Sequence, residues 1–399
     1  MIWLELMLST LAAAYAVALW GSSWQWHKMP LQEYEPEETV GLLPCFSIVV
    51  AARNEAQRIG PLLDSLCTLQ YPAACWEMLL VDDHSEDRTV EVVRAFEAQH
   101  PELPLRVLTM APEAGTGKKA AQSAGIEAAK HPWMALTDAD CTLPPGWLMA
   151  YACFLEQHPG ARLVAGPVAL GPPQTLFGQW QALEFAGMMV AGAASFHQQG
   201  LFCSAANMVV HRSAYLESRS SRSDWAQASG DDVYLLHAVN LRFPGQAHFL
   251  KSTAAVVTTP PHKALRAWWR QRLRWASKNL EVKQANALTG AVLVWLLMAG
   301  MLTASVGALV RGAFSMPLLL AWGLKMAGEG ALLYSASRWM APRPTFKAWI
   351  WAQIPQTLYV SLVGLRALLG GFTWKARHYR PGGRPPSFNV EPPTSLRHE

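Results

Sequence analysis

The chain has 399 residues, a formal net charge of +4 and a hydrophobic fraction of 51%, with a mean hydropathy of +0.10. This length predicts two or three structural units, and the high apolar content argues against a protein that never meets lipid. The modest positive charge lies mainly beside apolar segments, so we expect anionic headgroups or a phosphorylated substrate as partners, and no nucleic acid.

The N-terminal residues 1–26 are predicted to form a transmembrane anchor. The segment from Ile2 to Trp20 contains one charge, Glu5, and is long enough to cross a bilayer as a helix. A cleaved signal peptide is the alternative, but it would carry positive charge before its apolar stretch, and no basic residue precedes His27. Residues 27–44 follow as a linker.

Residues 45–255 are predicted to form one globular α/β domain. The segments "CFSIVVAA", "WEMLLVDD", "LPLRVLTM" and "PWMALTDAD" have the pattern of strands, and helical patterns separate them. This alternation predicts a mostly parallel sheet that binds ligands at the carboxyl ends of its strands. Ser85, followed by Glu86 and Asp87, is predicted to cap the helix after the second strand.

Polar clusters follow three of these strands: "ARNE" at 52–55, "DDHS" at 82–85 and "TDAD" at 137–140. Asp138 and Asp140 stand at positions i and i+2, where strand geometry brings two like charges to one face. Such a pair suits Mg²⁺ or Mn²⁺, which takes carboxylate oxygens and completes its shell with water and substrate phosphates.

The two common nucleotide-binding loops are excluded. A Rossmann domain needs G-x-G-x-x-G after its first strand, and "ARNEAQ" contains no glycine. A P-loop needs a hydroxyl residue where Lys119 stands and a glycine where Pro112 stands. The six cysteines include no C-x-x-C pair, so neither a zinc site nor a disulfide framework is indicated, and reduced thiols facing the cytosol fit best.

Two later segments carry chemistry-bearing residues. "GDDVYLL" places Asp231 and Asp232 before a helical pattern, where they can cap the helix or supply a general base. Residues 256–285 contain "RAWWRQRLRW", which is predicted to be an interfacial amphipathic segment. An interfacial role explains its tryptophans and arginines but leaves Gln271 unexplained.

The C-terminal residues 286–370 are predicted to form two or three membrane helices, followed by a basic, proline-rich tail at 371–399. Lys325 and Glu329 stand at i and i+4 and are expected to pair, facing protein or a cavity. Basic residues flank the last segment on both sides, so either that segment is re-entrant or interfacial, or the positive-inside rule fails at one loop. These residues are Arg338, Arg343 and Lys347 before it, and Lys375, Arg377, Arg380 and Arg384 after it.

The ordered set "RNE", "VDDHSEDRT", "GKKAA", "TDADC", "GDD" and "QRLRW" resembles the family 2 glycosyltransferases over Phe46 to about Asn279. These are inverting enzymes with a GT-A fold, among them membrane-embedded cellulose, hyaluronan and poly-N-acetylglucosamine synthases. The resemblance implies a nucleotide-diphosphate sugar donor, a lipid or growing glycan acceptor and a Mg²⁺ or Mn²⁺ ion. It also implies an integral protein of the inner or plasma membrane with a cytoplasmic catalytic domain.

The resemblance further implies roles for individual residues. Asp140, supported by Asp138, would bind the metal ion, and Asp232 would act as the base. The nucleotide-sugar would be bound by side chains at strand ends and beside them: Glu55, Asp82, Asp83, Lys118 and Asp138. The diphosphate and the acceptor would be bound by Gln271, Arg272, Arg274, Trp275 and Asn207.

The sequence departs from this family's pattern at two places. Gly230 and Asp231 replace the usual Thr-Glu before the base, which leaves Asp231 as a second candidate for that role. His84 stands where glycine is common.

Two other readings remain open from the residues. "TDADCT" also fits the nucleophile motif of haloacid-dehalogenase-like phosphatases, in which Asp138 would form an aspartyl-phosphate and Asp140 would act as acid and base. That nucleophile normally ends the first strand of its domain, whereas three strand-helix units precede it here. A catalytically inactive membrane scaffold is the other alternative, and the intact Asp140, Asp232, Arg274 and Trp275 argue against it.

Overall fold

The computed structural model describes residues 2–33, 43–111, 115–220, 231–281, 285–337, 346–368, 372–374 and 377–379. The helices are α1 Ile2–Lys28, α2 Gly60–Leu66, α3 Thr89–Gln99, α4 Lys118–Ala128, α5 Trp147–Gln157, α6 Leu176–Ala194, α7 Arg212–Ser220, α8 Asp231–Arg242, α9 Leu265–Glu281, α10 Ala285–Arg311, α11 Met316–Ser337 and α12 Phe346–Leu368. The strands are β1 Phe46–Ala52, β2 Trp76–Asp82, β3 Leu105–Thr109, β4 Trp133–Asp138, β5 Leu163–Ala165, β6 Val168–Leu170, β7 Met208–His211, β8 Ala247–Phe249, β9 Val257–Thr259, β10 Phe372–Trp374 and β11 Arg377–Tyr379.

The main sheet of the described residues has seven strands in the order β3-β2-β1-β4-β7-β5-β8. β1 pairs in parallel with both β2 and β4, while β7 runs antiparallel between β4 and β5. The strand order reverses beside β1, and ligands of open α/β sheets bind at such a switch point. The predicted α/β fold with a mostly parallel sheet is confirmed.

The register brings the acidic strand ends to one edge. Ala52 is opposite Asp82, and Ala51 is opposite Asp138. β1 and β2 are buried along nearly their whole length, as expected for parallel strands that are covered on both faces. The core therefore fixes where the polar residues after β1, β2 and β4 emerge.

The loops after β1 and β2 are cross-linked by side chain to backbone hydrogen bonds. Ser85 Oγ accepts from the Asn54 amide at 3.0 Å, and Asp87 Oδ2 accepts from the Ala56 amide at 3.1 Å. α3 begins only at Thr89, with Arg88 at its N-cap position, so the prediction that Ser85 caps this helix is wrong. The physical reason is that Ser85 and Asp87 are used to hold the neighbouring loop.

His84 has a φ of 56°, in the left-handed region. This conformation favours glycine, which explains why glycine is common at the matching position of the family that the sequence resembles.

Two helices of the described residues are long and apolar enough to cross a membrane: Ile2–Lys28 and Leu288–Arg311. α11 and α12 complete the C-terminal group, and α9 is the helix that carries the predicted amphipathic segment. The basic residues Arg338, Arg343, Lys375, Arg380 and Arg384 lie outside the described residues.

The predicted pairing of Lys325 with Glu329 in α11 is confirmed. Lys325 Nζ lies 2.9 Å from Glu329 Oε2 and 2.8 Å from Gln353 Oε1 of α12, and the lysine is fully buried. The pair therefore faces protein, as an ionisable pair within apolar helices is expected to do.

α1 is attached to the α/β domain at its C-terminal end. Lys251, which follows β8, donates from Nζ to the carbonyl oxygens of Trp26 at 2.7 Å and Met29 at 3.0 Å. Its Nζ also lies 4.6 Å from the centre of the Trp26 ring. A buried cation thus satisfies carbonyl groups that the end of a helix leaves without partners.

Candidate active site

Asp82 and Asp83, at the end of β2, are both buried and organise the surrounding loops. Both carboxylate oxygens of Asp82 accept from the Ser85 amide at 3.3 Å. Asp83 Oδ1 accepts from the Gly117 amide at 2.9 Å and lies 3.3 Å from His84 Nδ1. Asp83 therefore holds the start of α4, and with it Lys118, against β2. Contact of these aspartates with a nucleotide stays a prediction.

Each carboxylate at the end of β1 and β4 has a basic neighbour. Lys118 Nζ forms an ion pair with Asp138 Oδ1. Arg58 lies between two acids, with Nη2 2.6 Å from Glu55 Oε2 and Nη1 3.6 Å from Asp140 Oδ2. The predicted nucleotide-sugar residues Glu55, Lys118 and Asp138 are thus brought to one edge of the sheet, together with Asp140.

The electrostatics of Asp140 show how these charges balance. Burial raises the pKa of the Asp140 carboxyl, and the negative charges of Asp138 and Glu55 raise it further, whereas Arg58 and Lys118 lower it. The net shift is upward, and burial is its largest cause. A divalent cation beside Asp140 would offset the repulsion from Asp138 and Glu55.

The residues at this edge fit a metal ion that is shared with a phosphorylated ligand. Within the described residues, no group of three or more His, Cys, Asp and Glu side chains is arranged to hold a metal ion. Asp138 and Asp140 offer oxygen donors of the kind that Mg²⁺ and Mn²⁺ prefer, and these ions commonly take their remaining ligands from water and substrate phosphates. The donor set therefore suits an open carboxylate site.

His262 stands just before α9 and interacts with residues of the QRLRW motif and with α6. Gln181 of α6 holds the His262 backbone through two hydrogen bonds. The His262 amide donates to Gln181 Oε1 at 3.1 Å, and Gln181 Nε2 donates to the His262 carbonyl oxygen at 2.9 Å. Gln271 hydrogen-bonds to the His262 side chain. Burial lowers the pKa of His262, and the nearby charges of Arg272, Arg58 and Arg274 lower it further. The charges of two motif arginines and of Arg58 in the strand-end loop therefore all act on His262.

Arg272 anchors α9 to α6. It forms an ion pair with Glu184 in which the two side chains are only 4% and 7% exposed. Its guanidinium carbon lies 4.3 Å from the centre of the Trp275 ring and 5.5 Å from that of Trp268. Tyr359 of α12 donates to the same Glu184 carboxylate. Contacts of Arg272 and Trp275 with a diphosphate or acceptor stay predictions.

Asn207 precedes β7 and is fully buried. Its Oδ1 accepts from Trp147 Nε1 and Tyr151 Oη, both at 2.8 Å, and its Nδ2 donates to the carbonyl oxygens of Pro167 and Ala255, both at 2.7 Å. The amide is therefore used within the protein, where it binds three segments: α5, the residue before β6 and the turn that ends at Ala255. Direct contact of Asn207 with an acceptor stays a prediction.

Asp232 is the second residue of α8 and is partly buried. Its Oδ1 accepts from the Val233 amide at 2.9 Å, and its charge adds to the effect of burial in raising the pKa of Cys203. Asp231 begins the same helix, but its side chain and Gly230 lie outside the described residues.

Three residues of this region were missed by sequence reasoning: Arg58, His262 and Glu184. Arg58 could have been found, because it stands three residues after Glu55, a spacing at which side chains commonly pair. Glu184 is the sole charge in the apolar α6, which is also a usable signal. His262 gives no local signal, because its neighbours come from distant parts of the chain.

Comparison with known proteins places these observations in a family. The family model described as Glycosyl transferase family 21 matches residues 7–383. The chain is 27% identical over 262 residues to the probable glycosyltransferase YdaM of Bacillus subtilis, covering 63% of this chain and 60% of YdaM. It is 32% identical over 134 residues to the beta-monoglucosyldiacylglycerol synthase of Trichormus variabilis, covering 33% of this chain and 28% of the synthase. The matches thus span less than two thirds of either relative.

The fold has a solved counterpart. The mannosyltransferase PcManGT from Pyrobaculum calidifontis, in complex with GDP-Man and Mn²⁺, superposes with a TM-score of 0.59 at 20% identity, covering 90% of this chain and 99% of that one. The resemblance to GT-A-type, family 2-like glycosyltransferases is confirmed. With a family model that matches residues 7–383, the chain belongs to glycosyl transferase family 21.

Proposed function

We propose that the protein is a metal-dependent, inverting glycosyltransferase that moves a sugar from a nucleotide-diphosphate sugar to the hydroxyl of a membrane lipid. The observation that carries the proposal is the convergence of Asp138, Asp140, Arg58 and Lys118 at the switch point of the sheet, with Arg58 and the α9 arginines all acting on the charge of His262. Acidic metal donors and cations for phosphate oxygens therefore share one crevice.

On the donor side, Asp140, supported by Asp138, would hold a Mg²⁺ or Mn²⁺ ion. The ion would supply positive charge to stabilise a nucleoside diphosphate leaving group. Lys118, Arg58 and Arg274 add fixed positive charge for the phosphate oxygens, where charge develops during the transfer. Glu55, Asp82 and Asp83 hold the loops that receive the nucleoside. PcManGT, whose structure contains GDP-Man and Mn²⁺, supports this arrangement through its shared fold.

On the acceptor side, Asp232 acts as the general base. The acceptor hydroxyl oxygen forms a bond to C1 of the sugar as the bond from C1 to the diphosphate oxygen breaks, and the hydroxyl proton moves to the Asp232 carboxylate. The departing diphosphate keeps the electron pair of the broken bond. A single attack from the opposite face inverts C1, so an α-linked donor gives a β-linked product.

The lipid acceptor is supported by the long apolar helices of the chain. α1 and α10 are long and apolar, and α9 joins the α/β domain to the C-terminal helices. A relative is named as a synthase of a glucosylated diacylglycerol. In this proposal residues 1–26 anchor the protein, residues 45–255 form a cytoplasmic catalytic domain, and residues 286–370 lie in the membrane.

The test is a transfer assay with the purified full chain in lipid vesicles. A panel of nucleotide-sugars is supplied with Mg²⁺ or Mn²⁺, and mass spectrometry identifies the glycosylated product. One added sugar per lipid is expected, whereas a ladder of products would indicate a growing glycan as acceptor. Activity that survives in both Asp140→Asn and Asp232→Asn would sink the proposal. Release of inorganic phosphate from phosphomonoesters without a sugar donor would favour the phosphatase alternative.

A further inference from the structure

Both carboxylates that are proposed to bind the metal ion have a basic partner. Lys118 Nζ pairs with Asp138 Oδ1, and Arg58 Nη1 lies 3.6 Å from Asp140 Oδ2. A divalent cation and a basic side chain compete for the same carboxylate, because both are attracted by its negative charge and each repels the other. An ion that binds to Asp140 therefore has to displace the guanidinium group of Arg58 or to stand beside it.

The backbone of Arg58 is fixed, whereas its guanidinium group is accessible. The amides of Arg58 and Ile59 donate to the Glu55 carbonyl oxygen at 2.8 and 3.0 Å, and the Glu55 amide donates to Thr89 Oγ1 at 2.8 Å. The Arg58 side chain is 47% exposed, whereas that of Glu55 is 9% exposed. Accessible side chains change rotamer rapidly, so the guanidinium group can move from one partner to another while the loop stays in place.

The guanidinium group of Arg58 bridges two acids of unequal strength of contact. Its Nη2 lies 2.6 Å from Glu55 Oε2, whereas its Nη1 lies at the longer distance of 3.6 Å from Asp140 Oδ2. The planar fork of arginine pairs with phosphate as well as with carboxylate oxygens. Arg58 can therefore keep its ion pair with Glu55 and exchange its weaker contact with Asp140 for a phosphate oxygen.

The formal charge of this cluster changes sign when a metal ion binds alone. Three carboxylates face two basic side chains, which leaves one negative charge. The acids are Glu55, Asp138 and Asp140, and the bases are Arg58 and Lys118. A divalent cation by itself would convert this into one positive charge, whereas a diphosphate brings negative charge to the ion and to both bases. The cluster therefore favours joint binding of the ion and a diphosphate over binding of the ion alone.

We propose that Arg58 is an exchangeable counter-charge that makes the metal ion and the nucleoside diphosphate bind together. Its guanidinium group balances Asp140 until a diphosphate is bound, and then pairs with a phosphate oxygen and leaves the Asp140 carboxylate to the cation. The identity of the ligand as a nucleoside diphosphate rests on the proposed glycosyltransferase function. The exchange itself is measured by binding, without transfer of a sugar.

The test measures two dissociation constants of the full chain in detergent. Electron paramagnetic resonance gives the Kd of Mn²⁺ without nucleotide, and calorimetry gives the Kd of uridine diphosphate and of guanosine diphosphate at saturating Mn²⁺. In Arg58→Gln, Mn²⁺ should bind about five-fold more tightly, because a repelling charge is removed. The diphosphate that the wild type binds should bind about ten-fold more weakly, because a phosphate partner is removed. A merely structural role would weaken both, and weakening of both or a change in neither would overturn the proposal.

Arg58→Lys tests the exchange without removing the counter-charge of the buried Glu55, and so remains informative if Arg58→Gln does not fold. Lysine keeps the positive charge beside Asp140, so the Kd of Mn²⁺ should stay within about two-fold of the wild type. It lacks the fork that contacts Glu55 and a phosphate at once, so the diphosphate should bind about three-fold more weakly. Equal effects on the two constants would contradict the exchange.

Two further variants control for other charges and other Mn²⁺ sites. Arg88→Gln removes an exposed arginine that pairs with Glu91, and it should leave both constants unchanged. In an Asp140→Asn background, Arg58→Gln should no longer tighten Mn²⁺ binding, because the carboxylate that gains the ion is absent. Tightening that persists in this background would place the effect at another site and refute the proposal.

The transfer assay on the wild type separates failure of the exchange from failure of the function. If the two constants shift in opposite directions but no sugar is transferred from any donor of the panel, the proposed function fails and the exchange stands. If sugar is transferred but the constants do not shift in opposite directions, the exchange fails alone. A wild type that binds neither Mn²⁺ nor either diphosphate would overturn both.

Discussion

Arg272 of α9 and Glu184 of α6 form an ion pair that is buried between the α/β domain and the C-terminal helices. Tyr359 of α12 donates to the same carboxylate, so three helices meet at one negative charge. Desolvating two charges is costly, and such a pair is tolerated only when each partner compensates the other. The pair therefore fixes the position of α9 more than it adds to net stability.

This arrangement predicts an asymmetric response to mutation. Glu184→Gln should lower the free energy of unfolding by about 3–5 kcal/mol, because it leaves the Arg272 charge buried without a counter-charge. The double variant Glu184→Leu with Arg272→Met should recover much of that loss but not the activity. Thermal unfolding in detergent, monitored by tryptophan fluorescence, measures the stability of both variants, and the transfer assay measures their activity.

The control for the buried pair is an exposed one. Arg242 Nε lies 3.4 Å from Glu217 Oε2, with both side chains largely exposed, so Glu217→Gln should change stability by about 1 kcal/mol or less. Equal destabilisation by the single and double variants at Glu184 would contradict the role assigned to the pair.

Replacement of Asp140 is predicted to reduce activity without reducing stability. Because its folded pKa is raised, the ionised carboxylate is disfavoured in the folded chain, and Asp140→Asn should keep or slightly raise the unfolding midpoint at neutral pH. The same change should reduce transfer by about 10²–10³-fold, since it removes a donor for the cation that stabilises the leaving group. The exposed Asp64 of α2 provides the matched control Asp64→Asn. A stability loss equal to that of a core mutation would show that Asp140 is structural.

The strand ends were predictable from the sequence because they depend on local patterns. The β-branched runs, the alternation with helices and the position of Asp138 at the end of β4 all follow from periodicity and turn chemistry. The roles of Arg272 and Asn207 were not predictable, because their partners stand far away in the chain: Glu184 is 88 residues from Arg272, and Trp147 is 60 from Asn207. A motif identifies such residues, but only the packed structure shows that the Asn207 amide is used within the protein and that Arg272 pairs with Glu184 through Nη2.

The lowered pKa of His262 predicts that the protein loses stability in mild acid. Burial and then the charges of Arg272, Arg58 and Arg274 lower its folded pKa below the ordinary value of 6.5. As the pH falls below about 6.5, the unfolded chain therefore binds a proton before the folded one does, and folding stability decreases. The unfolding midpoint of the wild type should fall between pH 7 and about pH 5 by more than that of His262→Gln.

The control is His197→Gln, which removes an imidazole from an exposed position and is measured over the same pH range. Parallel pH profiles for the wild type and His262→Gln would show that His262 does not titrate differently on folding.

The hydrogen bonds of Lys251 are expected to strengthen the attachment of α1 to the α/β domain. Its ammonium group donates to the Trp26 and Met29 carbonyl oxygens at the end of α1. Lys251→Met keeps the apolar stem of the side chain but removes both donors, so two carbonyl groups lose their partner and the free energy of unfolding should fall by about 1–3 kcal/mol. The exposed Lys130 supplies the control Lys130→Met, which removes the same charge without such a contact. Equal unfolding midpoints for the two variants would mean that α1 is held by its apolar packing alone, with the lysine adding nothing to the attachment.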